Sequence, residues 1–129
     1  MIADDDELTR SMLASQLDLE FECVGLAAGA MEAIALVEAQ HPDVVILDVK
    51  MPGGGALHAT RQIHAGAPET SIVILSVDET WHDVIELLNA GAVTYLRKGI
   101  DAAMLAHDLT ASIKAHRSAG GSGAAHRTA

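Results

Sequence analysis

The chain has 129 residues, of which half are hydrophobic and only three are aromatic, and its formal net charge at pH 7 is −10. This length is typical of one domain with a single core. The acidic balance argues against direct binding of nucleic acid by this chain, which needs clustered Lys and Arg, and against binding to anionic membrane surfaces. No apolar run approaches the roughly 20 residues that span a bilayer, and no signal peptide is visible, so we expect a cytoplasmic protein.

The hydrophobic pattern predicts five strands that alternate with five helices. Strands are predicted from short apolar runs between turn residues, at 1–3, 21–27, 44–48, 71–76 and 92–97. Helices are predicted from apolar residues three to five positions apart, from residue 6 onward, over 30–40, from the glycines after Pro52 to Gly66, over 79–90, and after Asp101. In the first helix Asp6 is the predicted N-cap, and the apolar positions are Leu8, Met12, Leu13 and Leu17.

Alternation of strands and helices is typical of a parallel sheet with helices on both faces and right-handed crossovers. The run 44–48 has no polar alternation, so it is predicted to be buried on both faces. Cys23, the single cysteine, excludes an internal disulfide framework and is predicted to be a small buried hydrophobic residue. Residues 118–129 are rich in Gly, Ser and Ala and are predicted to form a flexible tail or linker.

Polar residues follow four of the predicted strands, and parallel strands bring their carboxyl ends to one edge of the sheet. They are Asp4 and Asp5, then Asp48, Ser76 and Lys98. Two like charges ~4 Å apart repel by about 4 kcal/mol at an effective dielectric of ~20, so three carboxylates beside one lysine call for a cation. Mg²⁺ suits such oxygen ligands, and a carboxylate such as Asp48 is a competent nucleophile towards phosphorus.

These residues stand in segments that resemble the receiver domain of bacterial two-component response regulators. The resemblance covers about residues 1–116 and rests on Ile2-Ala3-Asp4-Asp5-Asp6, Leu47-Asp48-Val49-Lys50-Met51-Pro52-Gly53, Ile74-Leu75-Ser76 and Gly91-Ala92-Val93-Thr94-Tyr95-Leu96-Arg97-Lys98-Gly99. It implies a receiver domain over 1–117 with a flavodoxin-like (βα)5 fold, a doubly wound parallel sheet of strand order 2-1-3-4-5. The Lys98-Gly99 ending resembles receivers of LuxR-type transcription factors.

The resemblance also implies roles for the strand-end residues. Asp48 would accept a phosphoryl group from a sensor histidine kinase or phosphotransfer protein, with Lys98 binding the phosphate. Asp5 and Asp48 would ligate Mg²⁺ directly, the backbone carbonyl of Lys50 would be a further ligand, and Asp4 would act mainly through water. Ser76 and Tyr95 would be the switch residues that rearrange the face formed by helix 79–90, the fifth strand and the last helix. The domain would catalyse only its own phosphorylation and dephosphorylation.

Other interpretations remain open at this stage. Asp4 and Asp5 also fit an acid run at a helix start, Ser76 fits a simple strand-end hydroxyl, and Tyr95 fits plain packing beside the core. At the level of function, a receiver-like adaptor that is never phosphorylated would act by protein–protein contacts alone. A small phosphatase with an aspartyl intermediate usually needs a second acid two residues past the nucleophile, where this chain has Lys50. A homodimer through helix faces is compatible with the sequence.

Overall fold

The computed structural model describes residues 1–4, 6–17, 21–49, 55–76, 81–97 and 104–116. The described strands and helices alternate along the chain. They are β1 (Ile2–Ala3), α1 (Glu7–Leu17), β2 (Leu26–Ala27), α2 (Ala30–Gln40), β3 (Val44–Asp48), α3 (Gly55–Gly66), β4 (Ser71–Ser76), α4 (Trp81–Ala90) and β5 (Thr94–Arg97). A last helix, α5, is described over 104–116. Within the described part of the chain, no helix has both the length and the apolarity to cross a membrane.

All strand pairs are parallel, and the sheet has the order β2-β1-β3-β4-β5. The predicted flavodoxin-like fold is therefore confirmed. β1 is short, but it is an interior strand that bonds to both neighbours: Ile2 pairs with Leu26 on one side and with Ile46 on the other. The α-amino group of Met1 donates to the carbonyl oxygen of Val44 at 3.0 Å, and burial lowers the pKa of this amine below its ordinary value.

The core has two layers, one on each face of the sheet. Alternate residues of β3 point to opposite faces, so Val45 and Leu47 belong to one apolar cluster while Val44 and Ile46 belong to the other. The first cluster contains buried apolar residues of α2 and α3 together with Leu87 of α4, and the second contains the buried residues of α1 and α5. All five residues of β3 are buried, which confirms the prediction of a strand covered on both faces.

Three helix ends show why the elements begin and stop where they do. Asp6 caps α1, since its carboxylate accepts from the backbone N–H of Leu8 at 3.3 Å and from the hydroxyl of Thr9 at 2.6 Å. After α4, the N–H of Gly91 bonds to the carbonyl of Leu88 and the N–H of Ala92 bonds to that of Leu87, which is the Schellman arrangement. After α2, His41 takes the left-handed conformation and its N–H bonds to the carbonyl of Val37.

Four details differ from the sequence predictions. β2 contains only Leu26–Ala27 of the predicted 21–27, and β5 begins at Thr94 rather than at residue 92. On α1, Leu13 and Leu17 are buried, but Leu8 and Met12 are 67% and 51% exposed. The prediction of a buried cysteine was wrong, because Cys23 is exposed in the segment before β2. The predicted N-cap Asp101 and the tail 118–129 lie outside the described residues.

Candidate functional site

Two of the predicted site carboxylates, Asp4 and Asp48, lie together at the carboxyl edge of the sheet. Ala3 of β1 pairs with Leu47 of β3, so each acid stands one residue beyond a paired position on adjacent strands. Neighbouring strands are ~4.8 Å apart. Both acids are buried, Asp4 to 1% exposure and Asp48 to 9%. The structure therefore brings these two carboxylates to one place from segments 44 residues apart.

Asp4 is fixed by hydrogen bonds at its amide, its carbonyl and its carboxylate. Its N–H donates to the carbonyl of Ala27 at 3.0 Å, which continues the pairing of β1 with β2. Its carboxylate accepts from the backbone N–H of Asp6 at 3.0 Å. Its carbonyl oxygen accepts from the Arg10 guanidinium at 2.7 Å. Asp4 is thus held by bonds to β2, to the residue that caps α1 and to α1 itself.

The fourth and fifth strands end at the same edge. Asp48 pairs with Leu75, so the backbone of Ser76 stands one position beyond it on β4, and Ser76 in turn pairs with Arg97 at the end of β5. Lys98 is the next residue in the chain. Asp5, Lys50, Lys98 and the side chain of Ser76 lie outside the described residues, so their predicted roles in the site stay predictions.

The donors at this edge determine whether it suits a magnesium ion. Among the residues that the structure describes, no group of three or more His, Cys, Asp or Glu could hold a metal ion. The described part of the site supplies two buried carboxylates, Asp4 and Asp48. Mg²⁺ commonly binds one or two carboxylates and fills its remaining positions with water and phosphate oxygens. The donor set therefore fits Mg²⁺, and the full ligand set remains a prediction because Asp5 and Lys50 are not described.

Tyr95 lies on β5, where it pairs with Ile74, and its half-buried ring packs against the cluster shared by α2, α3 and α4. This position is compatible with both sequence interpretations, a switch residue and plain packing. Elsewhere at this edge, an open groove of about 230 Å³ lies between the end of β3, the start of α3 and the face of α4. Its lining includes Val49 and Leu57 on one side and Asp83, Glu86 and Leu87 on the other. The space beside α4 is thus incompletely filled.

Arg10 is the residue of this region that sequence reasoning missed. It is one of only eight Lys and Arg residues in the chain. It stands one helical turn after Asp6, where residues i and i+4 are neighbours. A lone cation so close to a run of four acids was the signal that could have identified it.

Comparison with known proteins gives a consistent result. Residues 1–110 match the family model described as response regulator receiver domain. The response regulator GacA of Pseudomonas aeruginosa is 37% identical over 101 residues, which cover 77% of this chain and 47% of GacA. A LuxR-family two-component response regulator from Aurantimonas sp. SI85-9A1 superposes with a TM-score of 0.83 at 28% identity, over 89% of this chain and 84% of that one. A CheY-like receiver domain protein from Methanospirillum hungatei JF-1 shares the fold, with a TM-score of 0.84 at 22% identity over 91% and 94% of the two chains. The chain spans less than half the length of the curated relatives GacA and DegU.

Proposed function

Because the chain belongs to the response regulator receiver domain family, a family of signalling modules rather than classical enzymes, we propose that it accepts a phosphoryl group on Asp48. The donor would be a phosphohistidine of a sensor kinase or phosphotransfer protein. The observation that carries this proposal is the placement of Asp48 at the end of a fully buried strand, beside the buried Asp4. The cytoplasmic location expected from the sequence is part of the same proposal.

In the proposed reaction a carboxylate oxygen of Asp48 attacks phosphorus. The bond between phosphorus and the donor imidazole nitrogen breaks, the imidazole leaves with the electron pair, and Asp48 becomes an acyl phosphate. Such a transfer depends mainly on positioning and on neutralisation of the phosphoryl oxygens. β3 supplies the positioning, because its backbone is paired on both sides with β1 and β4. Lys98 would neutralise one phosphoryl oxygen, and the hydroxyl of Ser76 would donate a hydrogen bond to another.

We further propose that Asp5 and Asp48, with the backbone carbonyl of Lys50 and with Asp4 acting through water, hold Mg²⁺ at this site. The bound cation would lower the charge that an incoming phosphoryl group meets. In the absence of any cation the neighbouring carboxylates repel one another and the phosphoryl group alike. The burial of Asp4 and Asp48 strengthens that repulsion, since solvent screens buried charges less than exposed ones.

The proposed output is a shift between two conformations that already exist before phosphorylation. The phosphoryl group adds roughly −1.5 to −2 charge at the edge of the sheet. Ser76 would move towards it, Tyr95 would turn inward, and the face formed by α4, β5 and α5 would rearrange. The groove between α3 and α4 supports this part of the proposal, because α4 is not packed against other described residues along this side.

A small-molecule phosphodonor tests the proposal without knowledge of the kinase. With acetyl phosphate and Mg²⁺, the wild-type protein should gain one phosphoryl group by intact-mass spectrometry, and Asp48→Asn should gain none. Asp108→Asn removes one carboxylate from α5 and serves as the matched control that should still be labelled. Labelling of Asp48→Asn at the wild-type level would contradict the assignment of Asp48. Binding of Mg²⁺ without any phosphoryl uptake would instead favour the adaptor that is never phosphorylated, and steady turnover of a phosphate ester would favour the phosphatase.

A further inference from the structure

Arg10 of α1 contacts a backbone carbonyl at the end of β1. Its guanidinium nitrogen Nη1 donates to the carbonyl oxygen of Asp4 at 2.7 Å, a short hydrogen bond from a charged donor. The side chain is half-buried, and the bond itself is partly shielded from solvent. A planar guanidinium held in this way orients its acceptor more strictly than a flexible ammonium group would.

The bonded oxygen belongs to the peptide group that joins Asp4 to Asp5. A peptide group is planar, so fixing the direction of its carbonyl restricts the backbone rotation of Asp4 itself. The other bonds of the turn complete the restraint: the N–H of Asp4 bonds to Ala27, its carboxylate accepts from the N–H of Asp6, and the N–H of Arg10 bonds to the carbonyl of Asp6. Arg10 therefore ties the end of β1 to the first turn of α1 through both its backbone and its side chain.

We propose that Arg10 is a positioning residue that, through its hydrogen bond to the backbone carbonyl of Asp4, orients Asp4 for the binding of a divalent cation. This inference rests on the proposed function, since it assigns to Arg10 a role in the same magnesium site. Groups that orient metal ligands without touching the metal typically contribute 10- to 100-fold to affinity or activity. The positive charge of Arg10 acts in the opposite direction, because a guanidinium close to the site repels a second cation. When the side chain is removed, the loss of positioning should lower the Mg²⁺ affinity, whereas the loss of the positive charge alone should raise it.

The test is a calorimetric titration of the protein with Mg²⁺ alone. Arg10→Ala should raise the Mg²⁺ dissociation constant about tenfold or more. Arg10→Lys, which keeps a charged donor, should recover part of this loss, and Arg10→Gln, which keeps a shorter neutral donor, should lie between the two. Arg61→Ala removes the same charged group from an exposed position on α3 and should leave the affinity unchanged.

A second measurement separates positioning from a general loss of structure. With acetyl phosphate as donor, Arg10→Ala should need more Mg²⁺ for half-maximal labelling but should approach the wild-type rate at saturating Mg²⁺. Thermal unfolding without Mg²⁺ shows whether the variant is folded. If Arg10→Ala does not fold, the Arg10→Gln and Arg10→Lys variants decide, since positioning requires weaker Mg²⁺ binding in Gln than in Lys.

The outcomes are distinguishable from those of the proposed function. If the wild-type protein neither binds Mg²⁺ nor takes up phosphoryl, the proposed function fails. If the wild type does both while Arg10→Ala binds Mg²⁺ equally well or more tightly, the proposed function stands and the role of Arg10 is overturned. Weaker binding in Arg61→Ala by the same factor would also overturn it, because the loss of affinity would then not be specific to the hydrogen bond that Arg10 makes with Asp4.

Discussion

The backbone N–H of Asp6 donates to a carboxylate oxygen of Asp4 at 3.0 Å, while the carboxylate of Asp6 caps α1. Two acids in one short run therefore serve different purposes. Asp4 is buried at the end of β1, beside the phosphoacceptor that we propose, whereas Asp6 is exposed and stabilises the helix that follows. The N-cap at Asp6 and the site carboxylate at Asp4 are thus close in the chain, and each can be tested by its own substitution.

Substitution of Asp6 by Ala should lower the free energy of unfolding by about 1 kcal/mol, the usual cost of removing an N-cap side chain. The substitution removes the acceptor for the N–H of Leu8 and for the hydroxyl of Thr9. Asp6→Asn keeps a good N-cap residue, so its free energy of unfolding should fall much less. Urea unfolding followed by circular dichroism measures both. Equal stability of the Ala and Asn variants would contradict the capping role.

Thr60 should tolerate, and even favour, replacement by Val. Its hydroxyl is fully buried on α3 and has no hydrogen-bond partner among the residues that the structure describes. A buried hydroxyl without a partner costs about 1–3 kcal/mol, and Val has a similar shape and helix propensity. We therefore expect the free energy of unfolding of Thr60→Val to rise by about 1 kcal/mol or to stay unchanged.

Thr70→Val is the matched control for this experiment. The hydroxyl of Thr70 is also buried, but it donates to the carbonyl of Pro42 at 2.9 Å. Its removal should lower the free energy of unfolding by about 1 kcal/mol, the typical net value of such a bond. Loss of stability in both variants to the same extent would show that the two hydroxyls do not differ as described.

Gly91→Ala should destabilise the fold by roughly 1–3 kcal/mol, the cost of a residue held in a sparsely populated backbone region. Gly91 has a φ of +129°, and an added Cβ would lie 2.5 Å from Cγ of His64. Gly66→Ala is the control, because no described atom outside its own stretch of α3 and its chain neighbours lies within 4 Å of the Cβ it would add. The double variant Gly91→Ala with His64→Gly removes both close atoms, Cγ and Cβ of His64. Compared with His64→Gly alone, it should still lose the backbone part of the stability, and full recovery would contradict the backbone argument.

Leu109→Ala should lower the free energy of unfolding by about 2–5 kcal/mol, as do most truncations of large buried side chains. Leu109 is fully buried in the cluster between α5 and the sheet. Met104 lies on the same helix but is 59% exposed. Met104→Ala should therefore change stability by no more than about 0.5 kcal/mol. Thermal or urea unfolding of the pair tests whether α5 packs on the sheet through the face that contains Leu109.

The sequence predicted the elements whose signals are local. β3 was predicted at its observed bounds because a continuous apolar run between turn residues has few other interpretations. The end of α4 at Gly91 was predicted for the same reason, since the residue type itself favours the conformation that a Schellman motif needs. The order of the strands came from the resemblance to a known family, because alternation alone does not specify it.

The errors concern features set by tertiary pairing. In the observed register Ile2 faces Leu26, so the residues before Gly25 lie beyond the first residue of β1 and cannot pair with it. That register, which local composition does not reveal, shortens the second strand. On α1, residues are ~100° apart around the helix, so Leu8 lies about 180° from Leu17. Once Leu17 packs on the sheet, Leu8 is left facing solvent.

Both edge strands of the sheet are short: β2 contains two residues and β5 contains four. Long, flat outer strands recruit strands from other chains and so promote aggregation, whereas short ones offer few backbone groups as a template. Even with a largely aliphatic core, this domain therefore presents little surface for strand addition. Any specific association between copies would then depend on its helices.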